Sequence, residues 1–156
     1  MKKIFSLMLL SFILVLGACG SEDESKEDTT EVKKELERDE EIEALAKEIV
    51  GDDFNKTDIK KIAVNKNMGL DDGSYIVLPH LTWDVKNKEK MTREMLSQYS
   101  NHLAAILADE SDISEITVFW EVPYHKEGEN IAKFNFTREG DGMAKGDVWY
   151  DPLIRE

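Results

Sequence analysis

Ile116, Val118, Trp120 and Val122 alternate with Thr117, Phe119 and Glu121. A period of two belongs to a strand whose successive side chains leave on opposite faces. Four large apolar groups on one side must be buried against another layer, so this stretch commits the chain to a sheet covered on one face. The covering layer is legible upstream. Leu96, Tyr99, Leu103 and Ile106 recur at spacings of three and four, with Met95 and Leu107 widening the stripe. That pattern predicts an amphipathic helix from about Lys88 or Thr92 to Ala108.

The other elements follow from the same two periods. Ile42, Leu45, Ala46 and Ile49 share a helical face ending near Gly51, which predicts a first helix over 33–50, with Val32 and Leu36 extending its face. Residues 59–66 (IKKIAVNK), with Ile62 and Val64 on one side, and 74–84 (SYIVLPHLTWD) read as strands. NMGLDDG between them has the glycine and aspartate chemistry of a hairpin loop. Pro79 has no amide to donate, which predicts an edge strand or a bulge there. Turns at PYHKEGEN and REGDG separate the alternating strand from IAKFNFT, with Ala132, Phe134 and Phe136 on one side, and from a last strand near 143–150. The order is helix, strand, strand, helix, then three strands. It predicts an α+β domain over 32–156: one antiparallel sheet of four to five strands with two helices packed on one face. In element order the domain resembles the small cystatin-like, helix-on-sheet domains of Gram-positive lipoproteins.

The N-terminus is of another kind. Lys2 and Lys3 precede an apolar run from Ile4 to Leu16, interrupted only by Ser6 and Ser11. This run is shorter than the roughly 20 residues that cross a bilayer, and it has the build of a secretory signal. It ends in Leu16-Gly17-Ala18-Cys19, which resembles the lipobox of bacterial lipoproteins. The resemblance implies removal of 1–18, a lipid on the Cys19 thiol, and a protein held on the extracytoplasmic side of the cell membrane. Cys19 is the one cysteine of the chain, so neither an internal disulfide nor a multi-cysteine metal site is open to it. Two acyl chains on one residue anchor stably where one alone binds marginally. Gly20 is not the aspartate that resembles an inner-membrane retention signal, and the lysine-rich, acidic style resembles Gram-positive lipoproteins.

Charge narrows the partners. The chain carries 33 acids against 20 lysines and arginines, a net −13. Such a surface repels phosphate backbones, so no nucleic-acid partner is expected. Residues 19–31 read as an acidic, disordered tether, since SEDESKEDTT has no apolar group to offset the entropy of ordering. A flexible coil of about 12 residues reaches roughly 20 Å, which keeps the domain close to the membrane.

Catalytic motifs are sparse. His80, His102 and His125 have no HExxH or paired spacing, and His102 reads as a boundary residue beside the helix stripe. Asp52-Asp53, Asp71-Asp72 and Asp109-Glu110 with Asp112 lack the alternating register of a calcium loop and suit turns and helix ends. GDG at 140–142 is a hairpin turn without the strand-to-helix switch of a phosphate loop. No serine lies in a GxSxG or SxxK context. No cofactor and no metal ligand set are expected.

Aromatic residues remain. If Val118 and Trp120 face the helices, Phe119 points to the open face of the sheet. Trp149 and Tyr150 face opposite ways, so one is open, and Tyr124 lies in a turn. Phe119, Trp149 and Tyr124 are therefore candidate contacts for a protein or peptide partner. The leading expectation is a lipid-anchored, non-enzymatic interaction or inhibitory module near the membrane. The alternative is a tethered hydrolase or small-ligand binder, with His80 and Asp84 of one strand the first residues to test. A structural envelope protein without a dedicated partner is a third reading. Oligomeric state is not legible.

Overall fold

The computed structural model describes residues 25–155, with side chains from residue 37 onward; Cys19, the segment 1–18 read as a signal peptide and the start of the segment read as a tether lie outside the described residues. In chain order the elements are α1 (Ser25–Asp53), β1 (Thr57–Lys66), β2 (Tyr75–Trp83), α2 (Glu89–Leu107), β3 (Ile113–Glu121), β4 (Ala132–Glu139) and β5 (Gly142–Tyr150). The strands form one five-stranded sheet in the order β1-β2-β3-β4-β5. Helix α1 packs on β1 and α2, and α2 lies against β3, β4 and β5. This is the α+β architecture the two periodicities predict.

One pairing differs from the antiparallel sheet expected. β1–β2, β3–β4 and β4–β5 are antiparallel, but β2 and β3 run parallel. The cause is α2. A helix inserted between two neighbouring strands carries the chain back to its starting end, so the second strand sets off in the direction of the first. Short loops alone would have produced a meander, and they do so for β3–β4–β5.

Pro79 also departs from expectation, because β2 is an interior strand. It pairs with Ile62 of β1, while on the β3 side the register runs to Val77↔Ile116 and resumes at His80↔Phe119. The missing donor thus falls in a gap of the parallel ladder. Register shifts lie elsewhere: in β1 between Ile59 and Lys61, in the β2–β3 pair between Tyr75 and Ile76, and in the β4–β5 pair between Phe134 and Phe136. Helix α1 begins at Ser25, inside the segment read as a disordered tether, and passes Gly51 to end at Asp53. Once its later turns are docked, each further turn adds hydrogen bonds without a new nucleation cost.

The core lies between the helices and β1–β4. Trp120, Phe134, Leu96, Leu103, Ile116 and Ile42 are among its fully buried side chains. Each such group contributes about 1.5–3 kcal/mol through burial. Trp120 anchors an aromatic cluster. Phe54 stacks on Tyr99 with ring centroids 4.5 Å apart, and both rings lie within 6.3 Å of the indole. Arg138 closes the far end, donating to the carbonyl oxygens of Ile113, Ala108 and Glu110. These include acceptors left over at the C-terminus of α2, where a cation is favourable.

Candidate interaction surface

The helices cover one face of the sheet and leave the other open. Along β2 the buried residues Tyr75, Val77, Pro79, Leu81 and Trp83 alternate with the half-buried Ile76, Leu78, His80 and Thr82. The second set belongs to the open face. Strand pairing then aligns one row across all five strands: Lys61↔His80, His80↔Phe119, Phe119↔Lys133 and Lys133↔Trp149. Residues paired in register share a face and stand about 4.5–5.5 Å apart. The row therefore runs ammonium, imidazole, phenyl, ammonium, indole.

His80 and Phe119 are stacked, with centroids 4.5 Å apart and planes only 8° from parallel. Burial holds the His80 imidazole below its ordinary pKa, and the charges of Lys61 and Lys60 push it the same way. A neutral ring is the form that stacks on Phe119 at neutral pH. Trp149 is 39% exposed at the β5 edge, while its neighbour Tyr150 turns back and meets Phe134 edge-on. Phe119 and Trp149 thus share one surface; alternation left open which of Trp149 and Tyr150 faces that side, and the β4–β5 register decides it.

The row has polar borders. On one side Lys60 pairs with Glu121, whose other carboxylate oxygen accepts the Gly128 amide at 2.7 Å. This pins the β3–β4 loop over that end and leaves Glu121 only 6% exposed. Its carboxyl is held below the usual range by the Lys60 ammonium first and the Gly128 amide second. On the other side Asn135 Nδ2 donates to Glu115 Oε1 at 2.7 Å and to Thr117 Oγ1 at 2.9 Å, and the Thr117 hydroxyl donates to the same Glu115 oxygen. A Cβ on Gly146 would stand 2.8 Å from Asn135 Oδ1, so glycine lets β5 close over this network.

Tyr124 is not part of this surface. It lies in the β3–β4 loop, 50% exposed, under the Lys86 ammonium and against His125. His125 Nε2 is 2.9 Å from the Thr92 hydroxyl in the first turn of α2, which ties that part of the loop to the helical layer. The hydrolase candidates do not converge either. The His80 ring lies on Phe119, whereas Asp84 is exposed beyond the end of β2 and its amide donates to the Lys56 carbonyl. His102 bonds Asp53 at 2.7 Å, joining α2 to the end of α1 as a boundary residue.

The acidic runs are structural. Asp72 Oδ1 accepts the Ser74 amide in the β1–β2 turn. Glu110 and Asp112 both bind Arg38 of α1, and Asp112 does so through two bonds of 2.8 Å. A groove of about 600 Å³ beside the β1–β2 turn is lined by Asn67, Leu70, Asp72, Ser114 and Arg138 among others. It brings serines and carboxylates together without a histidine to act as base. Among the described residues no group of three or more His, Cys, Asp or Glu could hold a metal ion, and no helix is long and apolar enough to cross a membrane.

No protein-family model, no curated protein and no solved structure matches this chain. The sequence pointed to Phe119 and Trp149 but missed their lysine neighbours. Lys133 has the strand parity of the open face and was within reach of the alternation argument. Lys61, one residue before Ile62, was within reach in the same way, but Lys60 was not, because only the bulge between Ile59 and Lys61 brings two consecutive residues to one side.

Proposed function

We propose that this protein is a lipid-anchored, extracytoplasmic interaction module that engages a protein or peptide partner through the open face of its sheet, close to the membrane. One observation carries the reading: Phe119 and Trp149 lie in a single cross-strand row on a face that neither helix covers. Large rings fixed on a rigid sheet offer apolar contact area at little cost in side-chain entropy. The resemblance of Leu16-Gly17-Ala18-Cys19 to a lipobox supports the anchor. Separation of His80 from Asp84 leaves the hydrolase alternative without a supporting arrangement.

The test is in-cell cross-linking and recovery of the tagged full-length protein beside three variants. Wild type is expected to recover a reproducible partner, Cys19→Ser to lose it with the membrane location, and Phe119→Ala and Trp149→Ala to lose it while remaining at the membrane. Recovery undiminished in both aromatic variants would remove the open face as the site. A Cys19→Ser protein still sedimenting with membranes would remove the lipid anchor.

A further inference from the structure

We infer that the open face is built for an acidic peptide segment: an extended stretch of a partner protein carrying carboxylates on either side of an aromatic or aliphatic side chain. The inference rests on the interaction reading above and specifies its chemistry.

In a chain with 33 acids, lysines have carboxylates close at hand, and Lys47, Lys60, Lys90 and Lys126 all pair with one. Among the described residues Lys61 and Lys133 have none, and neither do Lys56, Lys86, Lys88 and Lys145, but of these only Lys61 and Lys133 stand in the open-face row. Both belong to the row that holds His80 and Phe119, one ammonium at each flank of the stack. The carboxylates nearest the row are engaged: Glu121 by Lys60 and Gly128, Glu115 by Asn135 and Thr117. Asp58, beside Thr82, and Asp147, two residues before Trp149, stand one step along the strands from the row, and neither pairs with Lys61 or Lys133. The row itself thus carries two ammonium groups and no carboxylate, within a strongly anionic molecule.

The apolar component is equally specific. Leu78 and Ala63 are paired and half-buried on the same face, one step along the strands from His80 and Lys61. With Phe119 and Trp149 they form a floor that an apolar side chain can cover. From Lys61 to Trp149 the row crosses four strand intervals, roughly 19 Å, which matches about six residues of an extended peptide. Across such a segment carboxylates meet Lys61 and Lys133 while the group between them covers the stack. A basic partner would be repelled at the same two points, so the lysines also select against the wrong partner.

The experiment is selection of a random peptide-display library on the full-length protein, followed by affinity measurement of a selected peptide at low and high salt. The expected result is enrichment of Asp or Glu around an aromatic or large aliphatic residue. Its affinity should fall at least tenfold in Lys61→Glu/Lys133→Glu, and weaken with salt for wild type but not for that variant. An unchanged near-ultraviolet circular dichroism spectrum certifies the variant's fold. Selected peptides without acidic enrichment, yet lost on Phe119→Ala, would overturn the acidic chemistry and leave the interaction surface standing. Peptides insensitive to Phe119, Trp149 and both lysines, or no selection at all, would overturn both.

Discussion

The Ser100 hydroxyl shows how a single polar atom is accommodated in this core. It donates to the Leu96 carbonyl at 2.7 Å and accepts the Trp120 indole N–H at 2.8 Å, with both side chains fully buried. In Ser100→Ala the indole N–H loses its acceptor out of reach of water. The expected loss is about 1–3 kcal/mol, read as a lower urea midpoint at unchanged slope. Two residues of the open face contribute to the pH response. Glu121 has a lowered pKa in the fold, so its stabilisation is present above the unfolded value of 4.5 and lost as pH falls through the folded one. His80 also has a lowered pKa, but as a base that is neutral when stacked. The unfolded chain therefore binds its proton first, and stability falls as pH drops below 6.5 toward the folded value. Urea midpoints from pH 8 to pH 3 should show both declines. His80→Gln is expected to flatten the upper one and Glu121→Gln the lower.

At the scale of elements, the sheet is held to its helices by a few charged clamps beside the apolar contact. Arg38 of α1 reaches Glu110 and Asp112 in the turn between α2 and β3, and its pKa is raised by those two carboxylates. The Asp112 carboxyl is held low in return, first by its bonds to Arg38. The cluster is partly exposed, so screening limits its worth to about 1 kcal/mol. Its effect is local: Arg38→Met should speed amide hydrogen exchange in the turns of α1 around Arg38 while protection in β2 and β3 stays at the global limit. Unchanged exchange throughout α1 would mean that Ile42, Ala46 and Ile49 hold the helix unaided.

At the scale of the whole molecule, the two faces of the sheet do different work and should respond differently to truncation. Phe134 is fully buried beneath the helices, and Phe134→Ala is expected to cost about 3–5 kcal/mol. Phe119 is half-buried with one ring as its partner, and Phe119→Ala should cost only about 1 kcal/mol, which thermal unfolding can separate. A loss from Phe119→Ala as large as that from Phe134→Ala would mean that the open face is part of the core.

The strands and helices were legible because period two and period 3.6 are local properties of the chain. The same parity argument assigned Val118 and Trp120 inward and Phe119 outward, with no knowledge of which strands pair. Strand neighbours, the parallel β2–β3 pair and the bulge in β1 were not legible, since they depend on where α2 returns the chain and how β1 meets its partner. Pro79 shows the limit clearly: its missing amide was read as a mark of an edge strand or a bulge, and the fold places it in a gap of an interior ladder. The sequence by itself determined the elements, the buried side of three of the strands and the resemblance of its N-terminus to a lipobox, because each is written within a few consecutive residues. Only the tertiary structure decided that Lys61, His80, Phe119, Lys133 and Trp149 form one row and that Tyr124 stands apart from it. Five side chains from five strands meet through register, and register is set by the packing of the whole sheet.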